Sequence, residues 1–450
     1  MDKLFDVVAE QAIPTLQNHI LVDGFHVIID LEKSHGSYIY DATTGQELLD
    51  FYSYFASLPI GHNHPRLVED EHFQQQLRLA AMANPANSDI YTTQYAGFVK
   101  TFAQIAKPDA FKYLFFVAGG GLAVENALKT AFDWKVRINR AAGRCKDGTD
   151  LGTRVIHFRE AFHGRTGYTM SLTNTDPVKI YAYPKFDWPR VTNPKLEFPV
   201  TPDSLAKVVE LENKAATEIE AAFKQYPHDI AAIIIEPIQG EGGDNHFRGE
   251  FLRKLRELAD KHEALLIFDE VQTGLGLTGK LWAYEHFDVT PDIVAFGKKT
   301  QVCGIMVTNR VDSIPDNVFH TPSRINSTWG GNLVDMVRCA KYLEVIRDEA
   351  LVPNAADRGD ELLGALKKLS EKYPAITNVR GRGLFVAFTL PNSKLRDAVR
   401  QSCWDLGLAC LSSGPASVRF RPCLTVSAEE ISTAVGIIER AVSKHLPQDA

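Results

Sequence analysis

An acid and a lysine 29 positions apart carry the most specific chemistry in this 450-residue sequence. Leu265 to Phe268 is an apolar run of strand length that ends in a carboxylate, Asp269. Asp292 to Phe296 is a second such run, and it ends in Gly297 and Lys298. If the two strands are neighbours, the acid and the amine share one edge of a sheet, the edge where open α/β sheets bind ligands. A carboxylate that keeps a ring nitrogen protonated, and an amine that forms an imine with an aldehyde, are what pyridoxal 5'-phosphate (PLP) asks of a protein. Other readings compete for the same residues. Asp269 is equally suited to cap a following helix. The acidic strand followed by Gly274 to Lys280 resembles parts of a P-loop ATPase, but Leu281 stands where the Mg²⁺-binding hydroxyl is needed and the glycine loop follows the acid. Gly274, Gly276 and Gly279 also satisfy a dinucleotide-binding spacing, but late in the chain and behind Asp269-Glu270. The glycines read more simply as a loop that needs positive φ angles.

The elements that must position these residues follow from pattern. Phe115-Phe116-Val117 leads through Gly119-Gly120-Gly121 into a helix over Leu122–Trp134, and a glycine turn before a helix start is an anion site. Val155–Phe158 and Ile230–Ile235 read as strands, the second ending in Glu236 and a loop at Gln239–Gly243. Phe251, Leu252, Leu255, Leu258 and Ala259 recur at helical spacing. Alternation of strands and helices from about 110 to 310 predicts a mostly parallel sheet covered on both faces. The first 50 residues read as a short helix and a β-rich arm. His62 and His64 have no third ligand at useful spacing, so no metal is expected. Beyond about 335 the pattern becomes helical to 371, then forms a smaller αβ unit. Its strand Val418–Pro422 places Arg419 and Arg421 on one face. Ser427 with Glu430 forms a capping box for a last helix carrying Ile431, Val435, Ile438 and Val442.

Composition narrows the class. Hydrophobic residues make up 45%, and the net charge of −7 has no long run of one sign. There is no basic stripe for nucleic acid and no apolar run near the roughly 18 residues of a membrane span. Met1 to Asp6 lack a leader pattern. The six cysteines show no Cys-x-x-Cys spacing and read as thiols of a reducing cytoplasm.

Seven stretches in order resemble the class III, PLP-dependent ω-aminotransferases: Gly61–Pro65, Phe162–Arg165, Glu236–Glu241, Asp269–Thr273, Pro291–Lys298, Ser327–Asn332 and Arg419–Pro422. The resemblance covers about residues 20–445. It implies an α/β chain of the PLP-dependent transferase fold type I (aspartate-aminotransferase-like), a homodimer with active sites at the subunit interface. An N-terminal arm is expected over 1–55, a large PLP-binding domain with a mostly parallel sheet over 56–335, and a smaller α+β domain over 336–450. The texture of Ala123–Lys129, Lys185–Pro189 and Lys298–Cys303 is similar to members of the family that take L-lysine as donor. The implied reaction moves the 6-amino group of L-lysine to 2-oxoglutarate, giving L-glutamate and 2-aminoadipate 6-semialdehyde, which cyclises to piperideine-6-carboxylate. L-Ornithine and 4-aminobutyrate are the alternative donors.

Residue roles follow from the same resemblance. Lys298 is the imine-forming lysine, with Lys299 its rival, and Asp269 pairs with the pyridinium nitrogen. Gln272 serves the ring hydroxyl region, and Phe162 stacks on the ring. Gly120 and Gly121 give backbone N–H groups to the phosphate. Thr328, with Ser327 beside it, reaches the phosphate from the other subunit. Most of the family has hydroxyl-bearing residues and a glutamate around 119–122. Gly119-Gly120-Gly121-Leu122 removes them, so phosphate binding leans on the backbone and Thr328. Arg165 is the expected partner of the substrate's remote carboxylate, and Arg419 of the carboxylate beside the reacting carbon of 2-oxoglutarate. Glu241 resembles a movable partner that covers Arg419 while the long amine is bound. Asn326 is placed near the amino-acid end of the donor, and Arg421 is read as a surface or structural residue.

Overall fold

The computed structural model describes residues 6–146 and 148–447. Residues 1–5, on which the leader reading rests, and 448–450 at the end of the small unit lie outside the described residues. A seven-stranded sheet runs in the order Phe111–Val117, Cys303–Thr308, Ile293–Phe296, Leu265–Asp269, Ile230–Ile235, Arg154–Phe158, Arg190–Val191. Only the Cys303–Thr308 strand is antiparallel to its neighbours; the other pairings are parallel. The two apolar runs that end in Asp269 and in Gly297-Lys298 are therefore adjacent and parallel, with Ala295 opposite Asp269.

Burial on both faces explains why the central strands read as unbroken apolar runs. Ile233, Ile235, Leu266, Phe268, Val294 and Phe296 pack into the cluster that holds Phe251, Leu255 and Leu258 of the Gly249–Lys261 helix. The alternate residues Ala232, Ile234, Leu265, Ile267, Ile293 and Ala295 pack with Val124, Ala127, Leu128 and Ala131 of the helix Gly120–Ala141. That helix is longer at both ends than Leu122–Trp134. Its first residues are the glycines, and nothing breaks it before Gly143.

The C-terminal residues form a second sheet, Thr377–Arg382, Phe385–Thr389, Ser417–Phe420, Leu411–Ser413, antiparallel throughout. Ser427 and Glu430 form the expected capping box. The arm strand Glu47–Asp50 pairs with both Tyr38–Tyr40 and Leu408–Ala409, which ties the N-terminal region to the C-terminal one. No helix among the described residues is long and apolar enough to cross a membrane.

Three backbones meet where this second sheet touches the loop after Asp269. Gly383, at the hairpin turn, has φ +51°, and Leu384 N–H donates to Leu277 O at 2.8 Å. A Cβ on Gly359, in the helix Leu351–Lys372, would lie 2.1 Å from the Gly383 carbonyl. That contact fixes the arginine-bearing sheet relative to Asp269, and backbone on both sides cannot yield cheaply. Gly359→Ala is expected to destabilise the protein by about 1–3 kcal/mol through overpacking. A lowered chemical-denaturation midpoint at unchanged slope checks this; an unmoved midpoint contradicts it.

Candidate active site

A cavity of about 980 Å³ opens at the carboxyl ends of the parallel strands. Asp269 lies at its floor, 5% exposed. One carboxylate oxygen accepts the Val271 N–H at 3.0 Å, and the other faces His163 Nδ1 at 2.8 Å. The residues after Asp269 form turns, so it closes a turn and caps no helix. His163 is buried, and its own N–H donates to Thr173 Oγ1 at 3.0 Å. Beside the pair, the buried Glu236 carboxylate accepts N–H groups of Phe162 (2.9 Å) and Gly240 (3.0 Å), joining two loops of the cavity wall. Burial, helped by Asp269 and opposed by His163, raises its pKa to about 7.

The two lysines separate cleanly. Lys298 lines the cavity, with its amine 5.9 Å from the centre of the Phe55 ring. Burial first, then the Arg419 and Arg421 charges, lower its pKa to about 8 against the pull of Glu241 and Glu236. Lys299 is buried beneath the cavity floor and donates to the backbone carbonyls of Gln272 (2.7 Å) and Ala56 (3.3 Å). Burial and the adjacent Lys298 hold its pKa well down, as an amine with only neutral partners requires. Ala56 ends a run, Ser53–Ala56, in which every residue is left-handed, with φ from 39° to 65°. Asp50 holds the start of this run by accepting N–H groups of Tyr52 and Ser53. It carries Tyr54 and Phe55 into the cavity wall.

The glycine turn meets the same cavity. Gly119 has φ +103°, and the 22-residue helix that follows has no side-chain cap. Gly120, Gly121 and Leu122 line the cavity, so free N–H groups of a helix start face it, with no hydroxyl on the turn itself and the Thr166 side chain packed beside Gly121. Phe162 is half-buried on the wall. A buried acid for a ring nitrogen, an uncapped helix start for a phosphate, a ring face and a free amine together fit PLP.

On the side away from the glycine turn, Glu241 bridges two cations. Its carboxylate accepts from Arg419 at 2.8 Å and from Lys179 at 2.6 Å. Burial would raise its pKa, but Arg419 and Lys179 overcome that and bring it to about 2. Arg419 is almost fully buried. Its second donor reaches the amide oxygen of Gln272, which also lines the cavity, at 3.3 Å. Arg421 is not at the surface: it is 1% exposed and ion-paired with the equally buried Asp244. Arg165 is exposed at the cavity rim.

Asn326, Ser327 and Thr328 do not line the cavity of their own chain. They lie on a loop where Asn326 and Thr328 are exposed and the Thr328 carbonyl accepts from Ser88. His62 pairs with Asp50 and His64 with Glu349, and no metal-binding group of His, Cys, Asp or Glu occurs among the described residues. His163, Lys179, Glu236, Tyr54 and Phe55 are site residues that motif reading passed over. His163 and Glu236 lie within quoted motifs, where a signal existed; Lys179 and the left-handed turn have none.

The lysine geometry gives a pH dependence. A free amine reacts in its neutral form, so with PLP removed, labelling of Lys298 by a small amine-directed reagent should rise through about pH 8 and level off above it. Lys299 should stay unlabelled. Peptide mapping across the pH range checks both; a midpoint near the ordinary lysine value, or a label on Lys299, contradicts the assignment.

Comparison with known proteins agrees with this geometry. The family model Aminotransferase class-III matches residues 21–442. L-lysine-epsilon aminotransferase of Mycobacterium tuberculosis is 51% identical over 428 residues, 95% of this chain and 94% of the relative. The enzyme of the same name from Amycolatopsis lactamdurans is 48% identical, with 92% of each chain covered. A solved structure of lysine aminotransferase from M. tuberculosis superposes with a TM-score of 0.94 at 50% identity, covering 97% of this chain and all of that one. The match spans both sheets and every strand of the cavity, and the chain belongs to the class-III aminotransferases.

Proposed function

We propose that the chain is a PLP-dependent aminotransferase that moves the 6-amino group of L-lysine to 2-oxoglutarate, giving L-glutamate and 2-aminoadipate 6-semialdehyde, which cyclises to piperideine-6-carboxylate. The observation that carries this reading is the covered arginine: Arg419 is buried behind Glu241, a residue of the cavity wall, and its charge is balanced by that carboxylate. A donor whose reacting carbon bears no carboxylate needs that arginine masked. 2-Oxoglutarate, with a carboxylate beside its reacting carbon, needs it free. Identity near one half to L-lysine-epsilon aminotransferases over most of the chain supports lysine as the donor over ornithine or 4-aminobutyrate.

PLP, when bound, supplies an aldehyde for amine exchange and a ring that accepts an electron pair. The chain's residues do the rest. Asp269, hydrogen-bonded to His163, would sit against the ring nitrogen and favour its protonated form. Lys298 would hold the cofactor through its amine and, when released, would carry the proton at the substrate carbon. Its lowered pKa, near 8, suits that exchange. Gly120 and Gly121 would hold the phosphate through N–H groups, Phe162 would cover the ring face, and Gln272 would serve the ring hydroxyl region. Arg165 takes the remote carboxylate of either substrate.

Asn326, Ser327 and Thr328 are read as serving the cavity of a second subunit in a homodimer. Their exposure, their distance from their own cavity, and the half-exposed Trp329 beside them support this. We read 1–55 as an arm, 56–335 as the cofactor domain and 336–450 as the small domain. We also place the protein in the cytoplasm, a reading supported by free thiols at all six cysteines.

The test is a donor panel with 2-oxoglutarate as acceptor and glutamate formation as readout. L-Lysine is expected to give the highest kcat/KM. Faster turnover of L-ornithine or 4-aminobutyrate would overturn the assignment of the donor.

A further inference from the structure

Glu241 is held by two cations, while the masking of Arg419 needs only one. The Lys179 amine lies 2.6 Å from one carboxylate oxygen and the Arg419 guanidinium 2.8 Å from the other. Lys179 ends a short turn, Pro177–Lys179, capped by Asp176, and its side chain is only 14% exposed. The Lys179–Glu241 pair also forms a wall between two spaces. Both residues line the large cavity, and both line a neighbouring one of about 390 Å³ with Arg396, Ser412 and Ser413.

The Glu241 backbone cannot swing. Its carbonyl accepts the Gly414 N–H at 3.0 Å. A Cβ on Gly242 would lie 1.9 Å from the Glu160 carbonyl oxygen, so that segment is pressed against backbone. Two residues on, Asp244 is locked by Arg421 and Ser413, and Arg380 binds the carbonyls of Gly243 and Asp244. Any departure of the carboxylate from Arg419 is thus a side-chain rotation about a fixed Cα. The one cation already bonded to it, and the room beside that cation, lie on the Lys179 side.

We propose that Lys179 is a specificity-determining positioning residue: it receives the Glu241 carboxylate when a carboxylate of 2-oxoglutarate takes its place on Arg419, and the small cavity is the room into which Glu241 turns. This rests on the reading of Glu241 as the cover of Arg419. The consequence is asymmetric. With lysine bound, Arg419 still holds Glu241, and Lys179 is dispensable. With 2-oxoglutarate bound, Lys179 is the cation still bonded to Glu241, since Arg396 on the small cavity is held by Asp397 and the Gly414 carbonyl; without Lys179 a half-buried carboxylate loses its bonded partner beside an incoming like charge. A lysine that instead bound the remote carboxylate directly would matter in both half-reactions, since both substrates carry that group.

Rapid-mixing measurement of each half-reaction on the holoenzyme tests this with Lys179→Met, Lys179→Arg, Glu241→Ala and the Met/Ala double variant. Lys179→Met should slow the 2-oxoglutarate half-reaction about tenfold, the scale of a partly buried ion pair, and the lysine half-reaction less than about twofold. Lys179→Arg should restore most of the loss. In the Glu241→Ala background the Met substitution should have no further effect on the 2-oxoglutarate half. Equal slowing of both halves by Lys179→Met, or a loss that persists in the double variant, overturns the proposal. Glu241→Ala alone should slow the lysine half by about a hundredfold, as loss of one partner of a buried pair does, and spare the other. If it does so while Lys179→Met changes neither half, the role of Lys179 fails and the masking of Arg419 stands. If Glu241→Ala slows both halves equally, the masking fails and the proposal with it.

Discussion

The register between two parallel strands is the constraint on which the site depends. Ala295 lies opposite Asp269, so Lys298 leaves the sheet three residues beyond the point where the acid sits. Both strands are buried on both faces, with alternate side chains packed into different clusters. A slip of one residue would exchange the two faces and send Asp269 away from His163. Nearly a whole layer of apolar contacts on either side therefore guards the spacing of one acid and one amine. The chemistry can rely on that spacing while the loops around it differ.

The second organising force is charge balance in a poorly hydrated space. Lys298 and Lys179 line the cavity with Arg419 and Arg421 buried close behind, and Glu241 and Asp244 pair with three of these four cations. Unpaired charges cost several kcal/mol when buried, and the buried polar groups here are met in different ways. Arg421 is ion-paired with Asp244, and the Asp269 carboxyl group is hydrogen-bonded to His163. Lys299 is held to backbone carbonyls, with burial and the adjacent Lys298 keeping its pKa well down. Glu241 differs from all of these in having two partners of the same sign. A group with two partners can leave one of them, which sets it apart as the element that can change state between half-reactions.

Much of this was legible in the sequence because it depends on local pattern. The β-branched run Ile230–Ile235, the acid and the lysine at strand ends, the glycine turn before a helix and the capping box at Ser427 appear where chain chemistry dictates. What stayed hidden depends on contacts between distant segments. His163 meets Asp269 across 106 positions and Lys179 meets Glu241 across 62. Arg419 and Arg421 alternate on one face, as their spacing requires, yet their roles differ because Asp244 sits beside only one of them. The left-handed run Ser53–Ala56 contains no glycine and so left no mark; Asp50, Lys299 and a Ser53–Arg421 hydrogen bond hold a conformation that costs about 1–2 kcal/mol per residue.

An aminotransferase of this class that accepts lysine has two nitrogens to choose between, and a masked Arg419 makes the choice. Only the side-chain amine lies on a carbon without a neighbouring carboxylate. The most direct measurement follows the nitrogen itself: L-lysine labelled with nitrogen-15 on the side-chain amine alone, incubated with the enzyme and 2-oxoglutarate, and the glutamate formed observed by NMR or mass spectrometry. The account predicts that the label passes into glutamate and that lysine labelled only on its α-amine yields unlabelled glutamate. Label arriving from the α-amine would contradict it, because that product requires Arg419 uncovered in the half-reaction in which the account has Glu241 cover it.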